Sequence, residues 1–272
     1  MPELPEIETI ARGLRRRLPG AQIAAVELLR RSIYRGPSPA ALVGATVTGI
    51  ARAGKYLVIE LTAPDRVRWQ LMVHLGMTGQ LVLCPPGAPR APHTHLVVCF
   101  AGISQLHFRD PRRFGRVALA PAPASGFAPA LGIAPGHEPL QIGEDDFLVL
   151  FRHRAAPVKN ALMNQRLLRG VGNIYADESL FRAAIHPRAR RLSRPRLLRL
   201  RLALREVLEA AIAAGGSSIS DYVNSSGKPG RFHLQHAVYD RAGLPCPRCA
   251  TPIRRIVLAG RSAHFCPHCQ RP

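Results

Sequence analysis

The chain has 272 residues, which is enough for two domains with hydrophobic cores of their own. It carries 38 Lys and Arg against 17 Asp and Glu, a formal net charge of +21, and only three of the basic residues are lysines. This excess predicts a polyanionic partner, most simply nucleic acid, although arginine enrichment from a GC-rich genome accounts for part of it. The apolar runs are too short to span a membrane, and the acidic, proline-bearing start does not resemble a signal peptide, so we expect a cytosolic, reducing location.

The first predicted element is an amphipathic helix over residues 5–18. Pro5 suits the first turn of a helix, and Glu6 and Glu8 suit its positive end. Pro19 and the glycine after it end the helix. Apolar residues recur on one face and arginines on the other, so one face is predicted to pack on a core.

Short strands with Gly and Pro breaks follow over residues 21–120. Strands at this spacing predict a β-sandwich or barrel. The predicted strands are 22–29, 45–53, 56–61, 68–73, 80–83, 95–100, 104–108 and 116–119.

The pattern becomes helical after a connection rich in Pro, Ala and Gly at residues 121–139. Residues 217–230 are polar and Gly-rich, which makes them a candidate mobile loop. The predicted helices are 144–154, 158–167, 174–183 and 194–214.

The last segment contains two C-x-x-C motifs separated by sixteen residues. Each motif supplies two thiolates, so the pair predicts one tetrahedral zinc site on a β-hairpin that turns at residues 259–261. Disulfides and unrelated reduced thiols are the alternatives. Cys84 and Cys99 stand alone in apolar segments and are expected to be inert. The four predicted ligands are Cys246, Cys249, Cys266 and Cys269.

The start of the chain is the second candidate site. Pro2 is small enough that Met1 is normally removed, which leaves a secondary amine with a substantial neutral fraction near neutral pH. Such an amine can attack an electrophilic carbon and form an iminium, and Glu3 and Glu6 are available for proton transfer. An ordinary helix start with acids matched to the helix dipole is the alternative.

Several motifs resemble those of bacterial formamidopyrimidine-DNA glycosylases, in order along the whole chain. The resemblance is carried by Met1-Pro-Glu-Leu-Pro-Glu-Ile-Glu-Thr9, Gly54-Lys-Tyr-Leu57, His74-Leu-Gly-Met-Thr-Gly79, Asp110-Pro-Arg-Arg-Phe-Gly115, Gly172-Asn-Ile-Tyr-Ala-Asp-Glu178, Gly227-Lys-Pro-Gly230 and the two cysteine motifs.

The resemblance implies an α+β fold in three parts. An N-terminal β-sandwich with a long N-terminal helix would occupy residues 1–135, a helix-two-turns-helix module residues 136–231, and a zinc ribbon residues 232–272. It also implies a monomeric, cytoplasmic and nucleoid-associated enzyme of base-excision repair. That enzyme would remove oxidised purines such as 8-oxoguanine from duplex DNA and then cleave the strand by β,δ-elimination.

Roles for individual residues follow from the same resemblance. Pro2 would be the nucleophile, Glu3 the acid and base, and Glu6 a supporting group, while Lys55 would hold a phosphate near the lesion. Met77, Arg112 and Phe114 would fill the hole left by an extruded base. The other implied DNA contacts are His74, Lys159, Asn173 and Arg261.

Two departures from the family pattern, at Ser220 and Asn164, and two rival functions bear on this reading. Asn164 stands where an Asp is common, which is taken as a structural detail. Ser220 stands where relatives often carry Lys or Arg in a loop that closes over the base, which puts the lesion preference in doubt. The endonuclease VIII type, which prefers oxidised pyrimidines, is disfavoured by Leu4 and by the complete set of hole-filling residues. A non-catalytic zinc-ribbon protein that binds DNA or RNA would share the zinc and the charge, and it would not need the pair Pro2-Glu3.

Overall fold

The computed structural model describes residues 1–102, 104–219 and 221–271. Their contacts form two compact units, one of Met1–Ile133 with Gly215–Arg231 and one of Ala134–Ala214 with Phe232–Pro272. Residues 215–231 therefore belong with the N-terminal unit, although they follow the helical segment in sequence. The predicted division at residues 135 and 231 stays a prediction.

The first unit begins with helix α1, Leu4–Arg15. Its buried face carries Ile7, Ile10 and Leu14, as the apolar spacing predicts. The helix ends three residues earlier than expected. Pro19 disfavours helical backbone at the residue before it, and Leu18 instead anchors the exit of the helix in the core.

In the described residues of the first unit, nine strands form two sheets that share one core with α1. Their orders are β1-β7-β8-β6 and β2-β9-β5-β4-β3, and the described pairs are antiparallel except β2 with β9. The shared cluster takes Leu71 from one sheet, Phe108 from the other and Leu14 from α1, which confirms the sandwich. The strands are β1 Ile23–Leu28, β2 Tyr34–Arg35, β3 Thr46–Ala53, β4 Tyr56–Thr62, β5 Arg68–His74, β6 Gln80–Cys84, β7 Thr94–Phe100, β8 Ser104–Arg109 and β9 Arg116–Pro121.

The part of the second unit that the structure describes contains four α-helices and a β-hairpin, as predicted. Two helices end early for local reasons. His153 adopts a left-handed backbone after the first, and the Asn164 side chain accepts the Arg166 N–H in a turn after the second. The elements are α2 Glu144–Phe151, α3 Val158–Met163, α4 Asn173–Arg182, α5 Arg194–Ala213, β10 Arg254–Leu258 and β11 Arg261–Phe265.

Among residues 1–102, 104–219 and 221–271, no helix combines the length and the apolar character that crossing a bilayer requires.

Candidate active site and nucleic-acid interface

The start of α1 buries both members of the predicted catalytic pair. Pro2 is buried and Glu3 is 3% exposed, whereas Met1 is 46% exposed. Glu3 is the N-cap of α1, and its backbone N–H donates to Glu6 Oε2 at 2.8 Å in a capping box. The helix start thus holds Pro2, Glu3 and Glu6 together, as the sequence predicts, while Met1 projects from them.

Residues 215–231 complete this region of the first unit. The Ser217 N–H donates to Glu6 Oε1 at 2.7 Å, and the Tyr222 hydroxyl donates to the Glu6 carbonyl at 3.2 Å. Gly216 has φ +86°, and a Cβ there would lie 2.9 Å from Tyr222 Cε1 and 3.0 Å from Glu6 Oε1, so any other residue would be strained at this position. Both carboxylate oxygens of Glu6 therefore accept backbone N–H groups.

Tyr222 was not predicted from the sequence. Burial, followed by the negative charge of Glu6, raises the pKa of Tyr222, so the hydroxyl remains a hydrogen-bond donor at neutral pH. The hydrogen bond between Tyr222 and Glu6 joins residues that are 216 positions apart, so no local sequence pattern indicates it. Ser220, the predicted departure in the same segment, lies outside the described residues.

Lys55 lies in the two-residue turn between β3 and β4. Gly54 supplies a positive φ of 58° there, and Lys55 is only 7% exposed. Arg52 joins the turn to α1, because its Nη1 donates to the Gly54 carbonyl at 3.2 Å and its Nε lies 2.9 Å from Glu8 Oε2. The Glu8–Arg52 pair was not predicted from the sequence. It joins the turn that carries Lys55 to α1, the helix that directly follows Pro2 and Glu3.

His74 ends β5, and its ring lies 5.0 Å from that of Tyr56. Burial, followed by the charges of Lys55 and Arg116, lowers the pKa of His74 to about 4. Because Nδ1 lies 3.3 Å from the Gly76 N–H and accepts from it, the proton of the neutral ring is assigned to Nε2. His74 can therefore donate a hydrogen bond without carrying a charge.

The lowered pKa of His74 has a consequence for stability. In the second unit, burial is likewise the main cause that lowers the pKa of His236 to about 4. In the unfolded chain, His74 and His236 bind protons at about pH 6.5. In the folded chain, the same two rings bind protons only near pH 4. We therefore expect the free energy of unfolding to fall as the pH drops through this window. Urea denaturation across the window measures it. His74→Gln should reduce the pH dependence, and an unchanged dependence in both His74→Gln and His236→Gln would contradict the assignment.

Two neighbouring loops carry the predicted hole-filling residues. Gly76 has φ +61°, and a Cβ there would lie 2.6 Å from the Gly115 nitrogen, so the loop after β5 contacts the loop before β9 directly. Asp110 joins them as well, since Oδ1 accepts from Thr78 Oγ1 at 2.6 Å and Oδ2 accepts from the Gly115 N–H at 2.7 Å.

The side chains at these loops are exposed although two are apolar. Met77 is 43% exposed and Phe114 is 49% exposed, and the Arg112 guanidinium lies 4.9 Å from the centre of the Phe114 ring. Apolar side chains that project from loops joined by hydrogen bonds are suited to insertion into a base stack. The structure thus brings the two loops together without burying the three residues.

The second unit holds the other predicted DNA contacts. Asn173 begins α4, where backbone N–H groups and the helix dipole favour an anion. Arg261 is exposed at the start of β11, directly after the turn at Ala259 and Gly260. Lys159 is 1% exposed and lies 2.7 Å from Asp177. Its predicted contact with a damaged base stays a prediction.

The four cysteines converge at one end of the hairpin. Their Sγ atoms all lie within 4.8 Å of one another, and the Cys246–Cys269, Cys249–Cys266 and Cys249–Cys269 Sγ distances are 3.9, 3.5 and 3.4 Å. Tetrahedral Zn–S bonds of about 2.3 Å imply Sγ–Sγ distances of about 3.8 Å. The residues therefore fit one zinc ion with four thiolates, as predicted.

A β-sandwich unit, a helical unit and a four-cysteine zinc hairpin define a multidomain zinc-ribbon protein. Three family models match in the same order. They are the formamidopyrimidine-DNA glycosylase N-terminal domain at residues 1–117, the formamidopyrimidine-DNA glycosylase H2TH domain at residues 131–223, and a zinc finger found in FPG and IleRS at residues 243–272. The chain belongs to the formamidopyrimidine-DNA glycosylase family, as the sequence motifs predicted.

Relatives of known name match over their full length. The formamidopyrimidine-DNA glycosylases of Solibacter usitatus and Thiobacillus denitrificans are 45% and 47% identical, with 100% of both chains covered in each case. The crystal structure of the MutM (Fpg) protein of Thermus thermophilus has a TM-score of 0.86 at 41% identity, covering 99% of this chain and 98% of that one. A Lactococcus lactis Fpg variant in complex with DNA containing Fapy-dG has a TM-score of 0.89 at 35% identity, with both chains fully covered.

Proposed function

We propose that this protein is a bifunctional DNA glycosylase and lyase of base-excision repair. It removes oxidised purines, such as 8-oxoguanine and formamidopyrimidines, from duplex DNA. The observation that carries the proposal is the buried Pro2-Glu3 pair, which Glu6 holds at the start of α1 in a chain of this family. We further propose a monomeric protein in the cytoplasm, associated with the nucleoid.

Pro2 is the proposed nucleophile once Met1 has been removed. Its neutral amine attacks C1′ of the damaged nucleotide, the new N–C1′ bond forms, and the bond to the base breaks as the base takes up a proton. Glu3 supplies protons to the departing base and to the sugar oxygen when the ring opens. The secondary amine gives an iminium that is positively charged without protonation.

The iminium makes strand cleavage possible. It draws electrons from the sugar, so the C2′ proton is lost and the 3′ phosphate leaves by β-elimination, and the 5′ phosphate then leaves by δ-elimination. Glu6 has a different role from Glu3, since both of its oxygens accept backbone N–H groups. It positions the helix start and the 215–231 segment around the nucleophile.

The remaining residues hold the duplex. Lys55 and the neutral His74 are proposed phosphate ligands beside the reacting sugar, and Asn173 and Arg261 are proposed ligands for the backbone elsewhere. A zinc ion held by Cys246, Cys249, Cys266 and Cys269 would have four thiolate ligands, which would leave no place for a catalytic water, and it would supply folding energy to the hairpin. Its role is therefore structural.

Two other functions make different predictions. A Lactococcus lactis Fpg relative with a TM-score of 0.85 was solved with DNA containing an oxidised pyrimidine, so pyrimidine lesions belong in the test. Single-turnover cleavage of matched duplexes should be faster for 8-oxoguanine than for an oxidised pyrimidine. The opposite order would favour the endonuclease VIII type, and binding without cleavage of either duplex would favour a non-catalytic protein.

The exposed wedge of Met77, Arg112 and Phe114 predicts a substrate-dependent effect. Extruding a base costs a few kcal/mol, and filling the hole offsets part of this cost. We expect Phe114→Ala to slow the cleavage of duplex substrates by roughly tenfold or more, because the loss of about 1.4 kcal/mol corresponds to a tenfold change in rate. Cleavage of a single-stranded abasic site, which has little stack to break, should be retained.

Arg112→Ala should change how strongly cleavage depends on the base opposite the lesion. Arg112 can hydrogen-bond the unpaired base, so its removal should reduce discrimination among the four opposite bases. Single-turnover cleavage of 8-oxoguanine opposite each base measures this effect.

Val67→Ala is a matched control for Phe114→Ala, since Val67 is an apolar residue that is 40% exposed on a different loop of the same unit. Equal losses for Phe114→Ala on duplex and single-stranded substrates would contradict the wedge.

A further inference from the structure

The second unit contains a buried ion pair that the proposed chemistry does not use. Lys159 Nζ lies 2.7 Å from Asp177 Oδ1, and the two side chains are 1% and 0% exposed. The same ammonium donates to the Ser262 carbonyl oxygen. Removing one partner of such a pair would leave a buried charge without compensation. Lys159 is therefore committed to the protein interior and is a poor candidate for direct contact with DNA.

Asp177 extends the pair to the zinc hairpin. Its Oδ2 accepts the His264 backbone N–H at 2.9 Å and lies 3.2 Å from His264 Nδ1. One carboxylate therefore joins α3, which carries Lys159, to α4 and to β11. Glu178, the next residue of α4, accepts three backbone N–H groups of Ala237, Val238 and Tyr239, which lead to the hairpin.

A second bond attaches β11 to the start of α4. Asn173 Nδ2 donates to Ser262 Oγ at 3.2 Å. Asn173 and Asp177 are one turn apart, which is about 6 Å along a helix, and Ser262 and His264 are two residues apart, which is about 6.6 Å along a strand. Because the two spacings nearly match, the Asn173–Ser262 and Asp177–His264 bonds can form together, and they set the register between α4 and β11.

This register sets the position of Arg261. Arg261 directly precedes Ser262, and successive residues of a strand point to opposite faces. Arg261 is accordingly exposed while His264 is buried against Asp177. Asn173 thus belongs to the hydrogen-bonded network, and Arg261, the other proposed phosphate ligand of this unit, directly precedes a member of it, Ser262.

We propose that the Lys159–Asp177 pair fixes the spacing of Asn173 and Arg261, so that α4 and the zinc hairpin grip the DNA backbone as a two-point clamp. Lys159 is then a positioning residue and not a DNA ligand. The proposal rests on the DNA binding of the proposed function. It also gives the buried lysine a role different from the base contact that the family resemblance implied.

The sign of one substitution separates the two roles. Asp177→Asn removes the negative charge and keeps an oxygen that can accept the His264 N–H. If Lys159 were a DNA ligand, the variant would free its positive charge, and the affinity for duplex and the salt slope would rise. If the pair positions the clamp, the affinity for undamaged duplex should fall on the order of tenfold, and the slope should fall by about one.

A double-mutant cycle completes the test. Lys159→Met leaves the buried Asp177 carboxylate without its lysine counter-charge and should weaken binding more than the double variant Lys159→Met/Asp177→Asn, which buries no unpaired charge. Arg261→Ala calibrates the loss of one phosphate contact. Zinc content and thermal unfolding identify variants that have lost the fold. Two results would overturn the clamp. One is an equal loss of duplex affinity in the double variant and in Lys159→Met, and the other is tighter duplex binding by Asp177→Asn.

Failure of the proposed function would look different. Binding of undamaged duplex requires no chemistry, so a protein that bound but never cleaved would overturn the glycosylase proposal while the cycle still decided the clamp. Borohydride trapping on a single-stranded abasic oligonucleotide depends on Pro2. In the Asp177→Asn variant, trapping should decrease less than duplex binding does, and equal losses of the two would contradict a positioning role confined to the clamp.

Discussion

Replacing Pro2 with glycine is expected to abolish most base release and strand cleavage while leaving the binding of damaged duplex largely intact. Glycine keeps a terminal amine, but a primary amine gives an imine that must be protonated before it withdraws electrons from the sugar. Pro2 is also buried beside Glu3, so the position of the amine depends on the proline ring. We expect a loss on the order of 100-fold or more, which corresponds to about 3 kcal/mol of transition-state stabilisation.

Single-turnover kinetics on a duplex with 8-oxoguanine measure this loss, and binding of an uncleavable abasic analogue measures affinity. Pro19→Gly is a matched control, because it makes the same exchange at an exposed position after α1. The control should keep its activity. A Pro2→Gly variant that cleaved at the rate of the control would show that the reaction does not require the secondary amine of Pro2.

Cys249→Ser is expected to release zinc and to destroy the order of the hairpin. Structural zinc sites of this kind bind with about 10–16 kcal/mol, and this energy is coupled to folding, so a small hairpin does not survive its loss. The hairpin carries Arg261, and β11 carries the Ser262 and His264 bonds to α4. Binding of damaged and undamaged duplex should therefore fall together.

The measurements are zinc content, the thermal unfolding profile and the affinity for both duplexes. Cys84→Ser and Cys99→Ser are matched controls, since these thiols lie in the sandwich outside the metal cluster. Both controls should retain one zinc per chain. If Cys249→Ser lost its zinc and still bound and cleaved DNA normally, the structural role of the metal would be refuted.

Elements with local signals were predicted well. Helix α1, the break between β3 and β4, and helices α4 and α5 each depend on signals from a few neighbouring residues, and these elements lie within a few residues of their predicted bounds. The metal ligands were equally accessible, because each pair of thiolates is three residues apart in sequence. Strand β2 was missed, since two residues carry no periodicity.

Contacts between distant segments were not predictable in the same way. Residues 215–231 look like a connection in sequence, yet Ser217 and Tyr222 hydrogen-bond Glu6, more than 200 residues away. The Lys159–Asp177–His264 network has the same character, because each member reads as an ordinary polar residue of its own helix or strand. A buried charge is recognised only when its partner is known, and the partner comes from tertiary packing.

The central claim is that the amine of Pro2 forms a covalent bond with the damaged nucleotide. Borohydride reduction during reaction with a duplex containing 8-oxoguanine should trap a protein–DNA adduct, and mass spectrometry of the digested adduct should locate the DNA on a peptide that begins at Pro2 and lacks Met1. An adduct on Lys55, Lys159 or Lys228, or an efficient reaction by a chain that retains Met1, would contradict the claim.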